Sequence, residues 1–221
     1  MFYRAARTMF NPFMRTVLRP DIRGVENIPM TGACIFASNH ISFFDSIAIP
    51  AASPRQIAFL AKEEYFTGTG PRGLLNKAFF TAAGTIPVNR NETRAAQQSL
   101  VLALDVLSQG GAFGIYPEGT RSRDGRLYRG HTGFGHLVLE SGAPVVPVGV
   151  KGTEKIQPQG SRFVRPAKVS VTFGQPIDFI SRYDGVPTGK ARRLITDEVM
   201  DAIHALTGQT RAGEYNQRPV G

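Results

Sequence analysis

The strongest constraint on this chain is a set of short runs that are apolar nearly throughout, at 33–37, 57–61, 85–88, 112–116, 145–150 and 169–173. A strand with one wet face alternates apolar and polar side chains, so a run without alternation belongs to a strand buried on both faces. Such strands need a helical layer on each side, and the intervening segments supply helical periods. One begins near Glu92 and sets Ala96, Leu100, Leu104 and Leu107 at steps of three or four before Gly110 and Gly111. Another sets Ile195, Val199, Ala202, Ile203 and Leu206 before Gly208. The alternation predicts an α/β fold, a mostly parallel mixed sheet flanked by helices.

With 221 residues, 42% of them apolar and 19% charged, the chain can close one core, and neither a repeat nor a clean linker divides it. The expected organisation is an N-terminal segment over 1–20, a single domain over 21–208, and a polar, disordered tail over 209–221. The first segment sets Phe2, Met9, Phe10, Phe13, Met14, Val17 and Leu18 among Arg4, Arg7, Arg15 and Arg19, with no acid before Asp21. This is the pattern of a short basic amphipathic helix, interrupted or restarted at Pro12. Its Phe2, Phe10 and Phe13 would enter an acyl boundary while Arg4, Arg7 and Arg15 meet anionic headgroups. Packing of the same apolar side on the protein's own core is the competing reading.

No run approaches the roughly 20 apolar residues of a spanning helix, and no secretory signal is legible. The expectation is a peripheral or monotopic protein on the cytoplasmic face of the cell membrane. The excess of 26 Lys and Arg over 17 Asp and Glu, a net charge of +9, points to polyanions: anionic lipid, a phosphorylated substrate or nucleic acid. The single cysteine, Cys34, excludes an internal disulfide and any multi-cysteine metal site, and its place inside an apolar run reads as a buried, inert thiol. His131 and His136 have no cysteine or carboxylate cluster around them, so no metal is expected.

Three segments carry chemistry. In SNHISFFDS, His40 and Asp45 are five residues apart, about 140° around an ideal helix, so they can meet only across a turn. Ser42 and Asp45 have the spacing of a helix start, which would put the acid at the helix N-terminus and His40 on the loop before it. The carboxylate would then hold one imidazole nitrogen and leave the other as a base. A capping acid beside an ordinary loop histidine is the plainer alternative. YPEGTRSRDG follows the run 112–116 and sets Glu118, Gly119 and Arg121 where α/β folds bind ligands, with Arg121 able to grip a phosphate through two donors. A solvated polar turn would look the same. AGTIPVNR ends the run 85–88 in Asn89 and Arg90, and Lys62 follows the run 57–61. If the strands are parallel, all these residues converge at one edge of the sheet, a base among cations.

NHISFFD, GTIPVNR, YPEGTRS and VVPVGV resemble, in order and interval, the four motifs of the glycerolipid acyltransferases, the family of the lysophosphatidate and glycerol-3-phosphate acyltransferases. The resemblance covers about 33–150. It implies that His40 is the base that takes the proton of a glycerol hydroxyl as that oxygen attacks an acyl thioester, with Asp45 orienting it. It also implies that Arg90, Glu118, Gly119, Thr120 and Arg121, with Lys62 beside them, hold the glycerol phosphate. Pro147 falls in the fourth motif, on the acyl-donor side or in packing, and His131 with Arg129 would line the donor pocket. Asn89 departs from the aspartate common before the arginine, and AKEE has acids where a second lysine is common. The resemblance implies no cofactor, acyl-CoA or acyl carrier protein as donor, and 1-acyl-glycerol-3-phosphate as first-ranked acceptor to give phosphatidate. Glycerol-3-phosphate or another lysolipid is the alternative acceptor. A basic membrane or nucleic-acid binding module would explain the charge but not the His40–Asp45 grouping, so no nucleic acid is expected. No Gly-x-Ser-x-Gly elbow supports a hydrolase.

Overall fold

Each apolar run becomes a strand within one residue of its expected bounds in the computed structural model, which describes residues 20–70, 73–74, 85–88, 95–158, 161 and 163–217. The N-terminal segment with Phe2, Arg4, Arg7, Phe10, Phe13 and Arg15, the motif residues Asn89 and Arg90, and the helix start near Glu92 lie outside the described residues, as does the side chain of Lys62. The strands are β1 (Asp21–Arg23), β2 (Cys34–Ser38), β3 (Ala58–Lys62), β4 (Ile86–Val88), β5 (Ala112–Ile115), β6 (Val145–Lys151) and β7 (Ser170–Phe173). They form one seven-stranded sheet in the order β1-β7-β6-β2-β5-β3-β4. Every neighbouring pair is parallel except β6 and β7.

The continuous apolar runs are explained by two cores, one on each face. Along β2, Cys34 and Phe36 enter one cluster with Ile49, Val146, Val148 and Phe173, while Ile35 and Ala37 enter the other with Phe113, Leu137, Val145 and Ile195. Fully burying each Val, Leu, Ile or Phe among them stabilises the fold by about 1.5–3 kcal/mol, before the entropy cost of ordering it. The first face is covered by helix α1 (Asp45–Ala52). A one-turn helix, α2 (Glu64–Thr67), follows β3. The other face is covered by α3 (Ala95–Ser108), α4 (Gly133–Ser141) and α5 (Thr188–Thr207). As its spacing predicts, α5 buries Ile195, Val199 and Ile203 and ends at Gly208.

Cys34 is fully buried, and desolvation pushes its thiol up to about 12, which bears out the inert reading. Two elements go beyond the sequence reading. β1 is a three-residue edge strand with no apolar run to mark it. α4 has Gly133 and Gly135 in its first turn, poor helix formers. The reason for Gly135 is tertiary: a Cβ there would stand 2.2 Å from the carbonyl oxygen of Arg192, so only glycine lets α4 pack this closely on α5.

Candidate active site

The parallel direction of β2, β3, β4, β5 and β6 brings their C-terminal ends to one edge, and the His40 turn and Glu118 loop leave the sheet there side by side. Across the turn, His40 Nδ1 lies 2.8 Å from Asp45 Oδ2. Asp45 is 0% exposed. The same oxygen accepts the backbone N–H groups of Ile41 (2.7 Å) and Ser42 (2.8 Å), and Oδ1 accepts the hydroxyl of Thr153 (2.5 Å). The carboxylate accepts, so Nδ1 is the donor of this pair and Nε2 is the ring nitrogen left for other partners. The helix opens at Asp45, with Phe44 rather than Ser42 in the capping position. Ser42 instead accepts from Phe44 N–H while Asp45 reaches back to Ser42 N–H, which is how an acid in a first turn ends up holding a histidine upstream of it.

Two residues unmarked by the sequence reading fix the imidazole further. Tyr116, at the end of β5, stacks on it with ring centroids 3.8 Å apart and planes 8° apart, and its hydroxyl shares a 2.8 Å hydrogen bond with Ser46. Asn39 pairs both ends of its amide with the main chain of Val150, Nδ2 donating to the carbonyl and Oδ1 accepting the N–H, and so ties the start of the turn to β6. Thr153 follows β6 in sequence and reaches Asp45 only because β6 lies beside β2. No local pattern in the sequence marks it.

The second motif-bearing loop grips the first by its backbone. His40 N–H donates to Glu118 Oε1 (2.9 Å), and Ser122 N–H donates to His40 O (2.7 Å). Tyr128 N–H donates to Glu118 Oε2 (2.9 Å). Glu118 is therefore a buried strut between two loops, and desolvation pushes its carboxyl up to about 7 despite those two hydrogen bonds. Gly119 adopts a left-handed φ of 74°, Thr120 is half-buried, and Arg121 is exposed with a hydrogen bond from Asn216 to its carbonyl. Beyond them Asp124 accepts from Ser122, Arg126 and Tyr128 and closes the loop on itself.

His131 comes beside Gly119, its ring stacked on Tyr215 at 4.9 Å, and the Arg129 guanidinium lies 5.3 Å from the Tyr215 ring centroid. Pro147 is not brought to this edge. It lies inside β6, buried, in register with Ala37, where a packing role accounts for it. The backbone of Lys62 ends β3 at the site edge in register with Val88.

Over residues 209–216 the expected disorder is corrected by contacts. Gln209 accepts from Asn39 and donates to Gly125 O, and Thr210 and Ala212 pair with the backbone of Leu127. Glu214 O accepts from Arg129 N–H, and Asn216 donates to Arg121 O. Residues 209–216 run along the outer side of the Glu118 loop, held there by main-chain pairs and by the side chains of Gln209 and Asn216. Most of its polar side chains do face solvent; main-chain pairing orders the segment.

A histidine oriented by a buried carboxylate at the carboxyl edge of a mostly parallel sheet is an arrangement that can serve proton transfer on an α/β scaffold. The family model described as Acyltransferase matches residues 19–151, more than half of the chain. The chain is 32% identical to 1-acyl-sn-glycerol-3-phosphate acyltransferase BAT2, chloroplastic, of Brassica napus over 168 residues, 75% of this chain and 46% of that protein. It is 35% identical to a 1-acyl-sn-glycerol-3-phosphate acyltransferase of Limnanthes douglasii over 145 residues, 65% of this chain and 50% of the other. The chain thus spans about half the length of these curated relatives. The crystal structure of the 1-acyl-sn-glycerophosphate acyltransferase PlsC from Thermotoga maritima has the same fold, with a TM-score of 0.64 at 24% identity over 94% of this chain and 78% of that one. The chain belongs to the acyltransferase family, and the resemblance of its motifs to the glycerolipid branch is borne out.

Proposed function

We infer that this protein is an O-acyltransferase that moves a fatty acyl group from an acyl thioester to the free hydroxyl of 1-acyl-glycerol-3-phosphate, giving phosphatidate. The observation that carries the reading is the contact between His40 Nδ1 and Asp45, whose other lone pairs are taken by Ile41, Ser42 and Thr153. The acceptor class rests on the names of the relatives.

In the reaction, Nε2 of His40 takes the hydroxyl proton as the oxygen attacks the thioester carbonyl, and Asp45 stabilises the imidazolium that forms. Collapse of the tetrahedral intermediate breaks the carbon–sulfur bond, and the imidazolium returns its proton to the departing thiolate. No acyl-enzyme intervenes, because the substrate hydroxyl stands where a serine protease has its serine. Arg121 and Arg90 bind the acceptor phosphate, with Lys62 contributing charge, and the donor is acyl-CoA or acyl carrier protein. His131 and Arg129 border the donor side. The basic segment 1–20 holds the protein on the cytoplasmic face of a membrane. No helix among the described residues is long and apolar enough to cross one.

The test is thiol release from palmitoyl-CoA by purified protein with lysophosphatidate, with glycerol-3-phosphate or without acceptor. Release is expected with lysophosphatidate and to fall about 10³-fold or more in His40→Ala. Near-normal turnover in that variant would overturn the mechanism; release without acceptor would make the protein a thioesterase. Silence with acyl-CoA and carrier-protein donors alike would favour a binding module.

A further inference from the structure

The loop 152–169 leaves the sheet at the edge that carries His40, because β6 ends there and antiparallel β7 begins there. Its base is built into the site: Thr153 donates to Asp45, fully buried Ile156 anchors the chain, and Arg165 N–H donates to Ile156 O at 2.8 Å. Its outer part has the opposite character. Phe163 is 77% exposed and Val164 51%. Phe163 N–H donates to Ser161 Oγ at 3.1 Å and that hydroxyl donates back to Phe163 O at 3.2 Å, a local ring that leaves the phenyl group in solvent.

Among the described residues, the loop and its ends carry four exposed cations, Lys151, Lys155, Arg165 and Lys168, and one exposed acid, Glu154. Asp21, which faces Lys168 from β1, is already bonded to Arg23. β1 starts at this same edge in register with Ser170, so the chain preceding Pro20 is attached here too. An exposed apolar tip needs a partner that yields around it, and exposed cations on the same loop need anions close by. An anionic bilayer offers both, an acyl boundary beneath a layer of phosphates.

We propose that the β6–β7 loop is a membrane-docking element: Phe163 and Val164 enter the acyl boundary of an anionic bilayer, and Lys151, Lys155, Arg165 and Lys168 meet its headgroup phosphates. Docked in this way, the loop holds the His40 edge of the sheet against the layer in which a lipid acceptor resides. The choice of a lipid layer as the occupant rests on the lipid-acceptor reading above.

The chain has no tryptophan, so Phe163→Trp places a single reporter at the tip. In full-length protein its emission is expected to shift to the blue on adding vesicles of phosphatidylcholine with phosphatidylglycerol, and to be quenched when the acyl chains carry bromine. Phosphatidylcholine alone should give little of either. Unchanged emission from protein that floats with the vesicles would overturn the proposal, and so would failure to float at all. Phe163→Glu with Val164→Glu should lower the floated fraction about tenfold and leave turnover on detergent-dispersed lysophosphatidate within about twofold, while Phe163→Leu keeps both. Loss of turnover with a carrier-protein donor, with emission indifferent to vesicles, would assign the loop to an acidic protein and overturn the bilayer. Absence of transfer by wild type on every acceptor would sink the functional reading alone, since the emission shift still decides the loop.

Discussion

Asp45 and Glu118 are both carboxylates at 0% exposure, both at the carboxyl edge of the same sheet, and both hydrogen-bonded to His40. They do different work because of what surrounds them. Asp45 receives four donors, one of them the imidazole itself, and so fixes the histidine side chain. Glu118 receives two backbone N–H groups, from His40 and Tyr128, and touches no side-chain cation among the described residues. Its burial outweighs those bonds and raises its pKa to about 7. Equal burial thus leaves one acid to orient a histidine and the other to brace a loop, and the number and kind of donors make the difference.

Breaking the first half of the comparison should have the largest effect. Asp45→Asn places an amide where four donors converge, so turnover should fall about 10³- to 10⁴-fold and stability by about 2–4 kcal/mol, read by steady-state kinetics and denaturant melts. A variant that keeps kcat would show that His40 needs no acid partner. Next comes Glu118→Gln. In the native state Glu118 holds a proton that the unfolded chain, near 4.5, has released, so its contribution to stability is complete below about 4.5 and is lost as pH rises through about 7. The amide variant cannot titrate, so wild type should lose on the order of 3 kcal/mol relative to it between pH 4.5 and 8. Parallel stability curves for the two proteins would mean that Glu118 is not raised.

Thr153→Val removes one of the donors that separate the two acids. A loss of about 1–2 kcal/mol and a roughly tenfold lower kcat are expected, with the acceptor KM little changed. The smallest effect belongs to the outer side of the Glu118 loop. Asn216→Ala frees the Arg121 carbonyl and should raise the acceptor KM about two- to fivefold with kcat intact. A drop in kcat instead would mean that the tail acts on His40 through Gln209 and Asn39.

The strands were legible because burial on both faces writes an unbroken apolar run, and the His40–Asp45 contact because five residues can close only across a turn. α4 was not, since Gly135 answers to Arg192 on another helix. The order of residues 209–216 was not legible, because main-chain pairing with a distant loop leaves no mark in the side chains.

Taken by itself, the sequence determined the layered α/β architecture, which follows from periodicity, and it restricted any contact between His40 and Asp45 to one made across a turn, which follows from their spacing. Only the tertiary structure decided that Thr153 completes Asp45, that Tyr116 stacks on the imidazole, that Glu118 is a strut, and that Gln209 and Asn216 brace the site. Those contacts join residues tens to more than a hundred positions apart. They exist because strand order brings distant segments together, and no local pattern in a chain records strand order.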